Sequence, residues 1–330
     1  MQHPTFSVII PTYNRVSLLA KAMDSVLAQT FSDLELIVID DGSNDGTAEL
    51  VQRYTDGGEH RVRYLWQENS GKSAALNNAL MHARGRFLAL LDSDDTWSPE
   101  KLRWQLDAIQ TFGKDCLCFT DAKYVNNPEL QTTVFAHAKK EYKNTFEMIT
   151  HPVSLFATQR CGICFSSVVI SFNLLSQLDG FDTNLRVAQD TDFIFRLALI
   201  TPFCVVDLPL VDFDRTVNRR DGLIDLMTRD ERLRLKERQH MYEKWLRLNL
   251  TSDTRTMILA RLAEVYSEWC NWHLMNNDYR EAGRAMSKSL KTCFMLKSAT
   301  KWALTKLAPG IARGQYIRRE SKRAQCYVIS

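Results

Sequence analysis

The chain has 330 residues, of which 45% are hydrophobic and 25% charged, the composition of a folded globular protein rather than of a disordered or fibrous one. No segment approaches the roughly 18 consecutive apolar residues of a transmembrane helix, and the N-terminus lacks the basic and apolar regions of a secretory signal. We therefore expect a cytoplasmic protein whose eight cysteines are reduced thiols rather than a disulfide framework.

Charge is distributed unevenly along the chain, whose net charge is +3. Residues 1–214 carry a net charge of −9, whereas residues 215–330 carry +12. A basic C-terminal third favours an anionic partner, membrane or nucleic acid, although long helices also carry Lys and Arg on their solvent-facing sides. Because no nucleic-acid-binding motif accompanies the charge, nucleic acid is not expected as a partner.

Strand and helix patterns alternate over the first two hundred residues. Continuous apolar runs predict strands at 6–10, 34–40, 62–66 and 86–92, and helical spacing between them predicts helices at 17–29, 45–54 and 72–83. The elements predicted further along are a helix at 99–111, strands at 115–120 and 163–170, a helix at 190–200, and a loop over the site at 126–160. Strands separated by single helices indicate parallel pairing in an α/β domain of the nucleotide-binding kind.

The last third of the chain has a different pattern. Helical periodicity dominates 222–248, 255–276 and 278–294, with few strand signals. The sequence therefore predicts an α/β domain over residues 1–220 and a helical region over residues 221–330.

Three acidic clusters lie where an α/β fold concentrates its chemistry, outside the carboxyl ends of strands. Asp40 and Asp41 end the second predicted strand, residues 92–95 (Asp-Ser-Asp-Asp) end the fourth, and Asp190 begins a later helix. Helix capping would explain one such cluster but not two at neighbouring strand ends. Three carboxylates within four residues repel one another unless a cation lies between them, and oxygen ligands without histidine favour Mg²⁺ or Mn²⁺ over zinc.

Other kinds of site are disfavoured by motifs that the sequence lacks. There is no P-loop and no G-x-G-x-x-G after the first strand, whose turn is PTYNR (11–15), so neither an ATPase nor a dinucleotide-dependent dehydrogenase is expected. The cysteine pairs 116/118 and 161/164 lie in apolar, strand-like segments and are interpreted as buried thiols rather than zinc ligands.

Six motifs together resemble the inverting family 2 glycosyltransferases of GT-A fold. In chain order they are SVIIPTYNR (7–15), VIDDGSNDGT (38–47), ENSGKSAALNNAL (68–80), LLDSDDTWSPEKL (90–102), LDGFD (178–182) and QDTDFIFRLAL (189–199). The resemblance covers residues 5–218 and implies a Rossmann-like mixed sheet flanked by helices, with a helical C-terminal extension. It also implies a metal-dependent transfer of sugar from a nucleotide-diphosphate donor, a UDP-sugar above all, to a hydroxyl of a glycan or lipid-linked acceptor in surface polysaccharide biosynthesis.

The first two motifs would bind the nucleotide, as the resemblance implies. Tyr13 would lie against the base, and an aspartate of the DDGS turn, Asp41 in preference to Asp40, would accept the N3–H of a uracil or thymine. The neighbours that would line the same site are Pro11, Thr12 and Arg15.

The next two motifs would contact the diphosphate and the metal. Lys72 would meet the diphosphate. Asp92, Ser93 and Asp94 match the D-x-D motif of the family, and Asp95 extends it. In this alignment an earlier carboxylate would contact the ribose, while Asp94 and Asp95 would bind Mn²⁺ or Mg²⁺.

Asp190 matches the aspartate of the Glu-Asp pair of the family and would be the general base that deprotonates the acceptor hydroxyl. The alternative is that Asp190 caps its helix. Two departures from the family pattern are visible. Gln189 stands where Glu is usual, and the segment 212–222 has three arginines, Arg215, Arg219 and Arg220, but no histidine. These arginines would contact phosphate or lie on a solvated loop.

Two other functions use similar residues. A nucleotidyltransferase acting on sugar phosphates would also use strand-end carboxylates, but usually has a Gly-rich basic loop after its first strand, which PTYNR is not. A non-catalytic nucleotide-sugar-binding relative would not need Asp190. Residues 284–330, with a net charge of +10 and apolar residues among the lysines, predict peripheral contact with an anionic membrane, or else packing on the catalytic domain or across a homodimer.

Overall fold

The computed structural model describes residues 3–158, 161–216, 230–294 and 296–317. The chain divides into two compact units, Met1–Arg220 and Asp221–Ser330. Each unit has its own packed core.

Unit 1 is built on a mixed sheet whose order over the described residues is β3-β2-β1-β4-β8-β6-β9-β5, with β7 paired to β9. The strands are β1 (Phe6–Thr12), β2 (Leu34–Asp40), β3 (Val62–Trp66), β4 (Phe87–Leu90), β5 (Thr96–Trp97), β6 (Leu117–Val125), β7 (Phe146–Ile149), β8 (Val169–Ser171) and β9 (Phe203–Asp214). The helices are α1 (Val16–Leu27), α2 (Thr47–Asp56), α3 (Lys72–His82), α4 (Lys101–Phe112), α5 (Val134–His137) and α6 (Gln189–Ala198).

The first four strands are parallel neighbours, as their spacing in the sequence predicts. All seven residues of β1 and all seven of β2 are buried, which is the pattern of a sheet covered by helices on both faces. The carboxyl ends of β1, β2 and β4 therefore open at one edge of the sheet, where the acidic motifs follow them.

The second half of the sheet departs from the predicted elements. The strand predicted at 163–170 is wrong in its first part, where residues Phe165–Ser167 form a 3-10 turn before the short β8 begins. The Ser167 hydroxyl closes this turn by donating to the Cys164 carbonyl at 2.7 Å. The predicted loop at 126–160 contains α5, β7 and a further 3-10 turn at Pro152–Ala157.

Unit 2 is helical over its described residues, with α7 (Glu231–Trp245), α8 (Ser252–Met275), α9 (Tyr279–Thr292), α10 (Leu296–Leu307) and a last helical segment at 309–317. The side chains of Asp230, Thr251 and Asp278 cap the first three helices. A small core joins α8 and α9 to residue Ala312. Among the described residues, no helix combines the length and the apolar character needed to cross a bilayer.

Candidate active site

The loops that follow β1 and β2 are joined by hydrogen bonds. The backbone N–H of Asn14 donates to Ser43 Oγ at 2.8 Å, and the N–H of Asn44 donates to Asn14 Oδ1 at 2.9 Å. Asp45 accepts a third bond at 2.8 Å from Val16 N–H at the start of α1. The PTYN and DDGS motifs thus form one surface rather than two independent turns.

The residues predicted to bind the nucleotide differ in their exposure to solvent. Tyr13 is 49% exposed at the rim. Asp40 is buried and accepts bonds from the Tyr64 hydroxyl at 2.6 Å and from the Ser43 N–H at 2.8 Å. The preceding Pro11 and Thr12 are buried in β1, and the Thr12 hydroxyl has no hydrogen-bond partner among the described residues.

Asp41 holds the segment between β3 and α3. Its Oδ1 accepts bonds from Gln67 Nε2 at 2.8 Å and from Ser70 N–H at 2.9 Å, and its Oδ2 accepts one from Gly71 N–H at 2.8 Å. Because a carboxylate offers about four lone-pair positions, these three bonds leave one for a further donor.

The three aspartates of the loop after β4 converge: one oxygen from each of Asp92, Asp94 and Asp95 lies within 4.8 Å of the others. Two cations contact this group, one from the residue that precedes α1 and one from the first residue of α3. Lys72 Nζ lies 2.5 Å from Asp92 Oδ1, and Arg15 Nη1 lies 3.0 Å from Asp94 Oδ2. The ion pairs compensate much of the repulsion between the carboxylates.

Asp95 differs from the other two because both of its oxygens accept hydrogen bonds inside the protein. It accepts from the Ser166 hydroxyl and, at 2.9 Å, from the Asp214 N–H at the end of β9. Ser166 Oγ also accepts from Asp92 N–H at 3.0 Å, so it ties the loop at two points. Burial, with the nearby charges of Asp94 and Asp92, raises the pKa of Asp95 well above its usual range.

The donor set fits a hard divalent cation. Carboxylate oxygens without imidazole or thiolate are the ligands that Mg²⁺ and Mn²⁺ prefer. The intervening Ser93 is buried in the same loop. Asp94 and Asp95, the predicted ligands, both lie in the cluster together with Asp92. No other group of three or more His, Cys, Asp or Glu side chains with this geometry occurs among the described residues, including the buried cysteines.

Asp190 lies in the first turn of α6 and is not the helix cap. The capping position is Ala188, and the Asp190 Oδ1 instead accepts from the Thr191 N–H at 2.7 Å. Burial raises the pKa of Asp190, and the positive charge of Lys72 opposes this shift. Burial alone would lower the pKa of Lys72, but Asp92, Asp190 and Asp94 raise it, so the amine remains charged beside both acidic groups.

Of the three predicted arginines, one follows β9 and two lie outside the described part of the chain. The Arg215 guanidinium stacks over the Phe213 ring at 3.8 Å, and its N–H donates to the Val125 carbonyl at 3.0 Å. Arg219 and Arg220 fall outside the described residues. Gln189, at the position where the family usually has Glu, is buried, and its Oε1 has no partner among the described residues.

The residue that sequence reasoning missed is Ser166. Its hydroxyl is central to the acidic loop, yet it lies 71 residues from Asp95 in a segment that reads as an apolar strand. No spacing or motif in the sequence links the two.

The sequence is similar to several glycosyltransferases. The family profile described as Glycosyl transferase family 2 matches residues 7–167. An uncharacterized glycosyltransferase of Rickettsia typhi is 26% identical over 268 residues, which is 80% of this chain and 78% of that protein. TuaG of Bacillus subtilis, whose name refers to teichuronic acid biosynthesis, is 45% identical over 105 residues, which is 32% of this chain and 41% of TuaG.

Solved structures share the fold at low sequence identity. Staphylococcus aureus TarS 1–349 in complex with UDP-GlcNAc has a TM-score of 0.69 and 19% identity, covering 97% of this chain and 92% of that one. The mannosyltransferase PcManGT of Pyrobaculum calidifontis, in complex with GDP-Man and Mn²⁺, has a TM-score of 0.59 and 21% identity, covering 100% and 86%. These likenesses confirm the predicted GT-A fold with its helical extension. The family match over residues 7–167 identifies that segment of unit 1 as a glycosyl transferase family 2 segment.

Proposed function

We propose that unit 1 transfers a sugar, with inversion and with a divalent metal, from a nucleoside-diphosphate donor to an acceptor hydroxyl. The observation that carries the proposal is Lys72, which forms an ion pair with Asp92 at 2.5 Å and interacts electrostatically with Asp190. A donor site on the acidic loop and a base on α6 would then lie next to each other, with the Lys72 amine between them. A binding protein or a nucleotidyltransferase has no need of the half-buried carboxylate of Asp190 at the second position.

In the proposed reaction Asp190 accepts the proton of the acceptor hydroxyl as that oxygen attacks the anomeric carbon. Burial raises the pKa of Asp190, so the transfer rate should rise with pH as this carboxyl ionises. Asp92, Asp94 and Asp95 would bind the divalent cation, which when bound would supply positive charge against the departing diphosphate. Lys72 and Arg15, which already lie at the acidic loop, would add two further positive charges there.

We propose a uridine nucleotide as the donor. The remaining lone-pair position of Asp41 suits the N3–H of uracil or thymine, and exposed Tyr13 offers a ring against which a base can lie. TarS, which shares the fold, binds UDP-GlcNAc, whereas PcManGT binds GDP-Man. Because the N1–H of guanine is also a donor, GDP is the comparison that tests the choice of base.

The acceptor is proposed to be a glycan or lipid-linked precursor of a surface polysaccharide. TuaG, with its name from teichuronic acid biosynthesis, supports this class. We further propose that the protein acts at the cytoplasmic face of the membrane and attaches reversibly through its basic C-terminal segment. Leu307 and Ile311 of that segment are 85% and 60% exposed, and residues 284–330 carry a net charge of +10.

The experiment is a thermal-shift panel with UDP, dTDP, GDP and ATP, each with and without Mn²⁺, followed by transfer assays on Asp190→Asn. Saturation at about 100 times the Kd stabilises a protein by about 2.7 kcal/mol, which is readily detected. We expect UDP with Mn²⁺ to raise the Tm most. Asp190→Asn should keep that shift but lose transfer by on the order of 10²–10⁴-fold. Equal stabilisation by ATP would refute the donor proposal, and normal transfer by Asp190→Asn would refute the assignment of the base.

A further inference from the structure

Helix α3 lies between the segment that Asp41 holds and the loop that leads to Asp190. Its first residue, Lys72, contacts Asp92 of the acidic loop. Two adjacent asparagines further along the helix, Asn77 and Asn78, point in different directions, since successive residues of a helix are rotated by about 100°. The side-chain amide of each asparagine forms hydrogen bonds with a different loop.

Asn77 binds the backbone of the loop before α6. Its Oδ1 accepts from Phe181 N–H at 2.7 Å, and its Nδ2 donates to the Phe181 carbonyl at 2.9 Å, so one side chain pairs with both backbone groups of one residue. One turn earlier, the buried hydroxyl of Ser73 donates to the Leu185 carbonyl at 3.0 Å. The approach depends on Gly180, with φ of +68°, where an added Cβ would lie 2.5 Å from Asn77 Oδ1.

The same loop is fixed to the helix that carries the base. Arg196 of α6 donates to the Gly180 carbonyl at 2.6 Å while it is paired with buried Asp192 at 2.9 Å. The Phe181 ring stacks on Phe193 of α6, with centroids 4.0 Å apart and an interplanar angle of 20°. A displacement of Phe181 would therefore be transmitted to the first turn of α6.

Asn78 makes the corresponding contact on the nucleotide side. Its Nδ2 donates to Gln67 Oε1 at 2.9 Å, and Gln67 Nε2 donates in turn to Asp41 Oδ1 at 2.8 Å. The two asparagines are thus chemically identical, adjacent and both half-buried, but one supports the loop before α6 and the other supports Asp41.

We infer that Asn77 is a positioning residue for the catalytic base, through the backbone of Phe181, and that Asn78 positions the donor-binding carboxylate Asp41. This inference rests on the proposed function, which makes Asp190 the base. Asn77 itself touches no reacting atom. Its effect is on where α6 presents Asp190 to the acceptor hydroxyl.

The test compares Asn77→Ala with Asn78→Ala in the full chain, so that each variant is the matched control of the other. Affinity for UDP in the presence of Mn²⁺ is measured by titration calorimetry. The kcat is measured in transfer assays at saturating donor. For Asn77→Ala we expect kcat to fall on the order of 10- to 100-fold, as for a small misplacement of a catalytic group, with an unchanged Kd. For Asn78→Ala we expect the Kd to rise by about 5- to 10-fold, the loss of one hydrogen bond, with kcat nearly unchanged.

Hydrogen exchange gives a readout that does not depend on transfer. The Phe181 amide should exchange faster in Asn77→Ala than in Asn78→Ala or the wild type, because only that variant loses its acceptor. A normal kcat in Asn77→Ala, or equal effects of both variants on Kd and kcat, would overturn the inference. Failure of the proposed function is recognised separately, because the wild type would then show no transfer and no stabilisation by UDP with Mn²⁺ beyond that by ATP. Normal transfer by Asp190→Asn would refute the assignment of the base on which the inference about Asn77 rests.

Discussion

Lys101, the first residue of α4, is fully buried and has no carboxylate partner among the described residues, so its protonation should affect the stability of the fold measurably. Its Nζ donates to Gln105 Oε1 at 2.6 Å and lies 3.9 Å from the centroid of the Trp97 ring. Burial lowers the pKa of Lys101 from 10.5 to about 7, and the nearby thiols of Cys118 and Cys164 oppose the shift. Lysines buried in protein cores reach pKa values of about 5–6, so this direction is physically ordinary.

The sign of the effect on stability follows from proton binding. Between pH 7 and pH 10.5 the unfolded chain binds more protons at this position than the folded protein, so stability rises with pH across that window. At about 1.36 kcal/mol per pKa unit, preferential protonation of Lys101 in the unfolded chain lowers the free energy of unfolding by about 4 kcal/mol at pH 7 and by about 2 kcal/mol at pH 9. Lys101→Met removes this dependence, since methionine does not titrate.

We therefore expect the stability of Lys101→Met, relative to wild type, to improve by about 2 kcal/mol when the pH falls from 9 to 7. Urea denaturation at pH 7, 8 and 9 measures the difference. Burial also raises the pKa of thiols such as Cys116, which affects the pH dependence of both proteins equally and cancels in the comparison. The control is Lys21→Met, at an exposed position of α1. A difference between wild type and Lys101→Met that does not change with pH would refute the reasoning.

Two further predictions concern the acidic loop and the C-terminal segment. Asp94→Ala and Asp95→Ala should both weaken UDP binding in the presence of Mn²⁺, but only Asp95→Ala should also lower the Tm markedly. It leaves the buried Ser166 hydroxyl without its acceptor, at about 1–3 kcal/mol, and also removes the acceptor of the half-buried Asp214 N–H. Calorimetry and thermal unfolding separate the two effects, and equal Tm values would contradict the role assigned to the bonds of Asp95. The double variant Leu307→Ser/Ile311→Ser should sediment less with anionic vesicles at low salt, whereas Met81→Ser, an equally exposed apolar position of unit 1, should not. Unchanged sedimentation, or a change in self-association alone, would contradict membrane attachment.

The parallel half of the fold was predictable because its strands are buried on both faces and so read as unbroken apolar runs. Strand β9, the longest strand among the described residues, was not predictable from a local sequence pattern. Asp207 and Pro209 interrupt its apolar pattern, and Pro209 is tolerated because it lies at an irregularity of the pairing with β6, opposite Asp121. The stability of β9 comes from pairing with its neighbours, which a local pattern does not contain.

The candidate site, like the fold, has residues whose placement was predictable from the sequence and others whose placement was not. The carboxylates and Lys72 were predictable because they follow strands or match motifs whose residues are close in the sequence. The contacts that orient them were not, since Asn77 reaches Phe181 across 104 residues and Ser166 reaches Asp95 across 71. Serine and asparagine are common on turns and helices, so nothing in their local sequence distinguishes a structural hydrogen bond from a solvated side chain.

The charges of the acidic loop explain how it can exist before a ligand binds. Asp92 is paired with Lys72, Asp94 with Arg15, and Asp95 with protein donors, so each carboxylate has a partner inside the chain. A divalent cation entering this group would have to displace two bonded cations, which weakens its binding when it enters alone. A nucleoside diphosphate brings negative charges with which Lys72 and Arg15 could form ion pairs in place of those with Asp92 and Asp94. Under the proposed function, we therefore expect metal and diphosphate to bind together rather than the metal by itself.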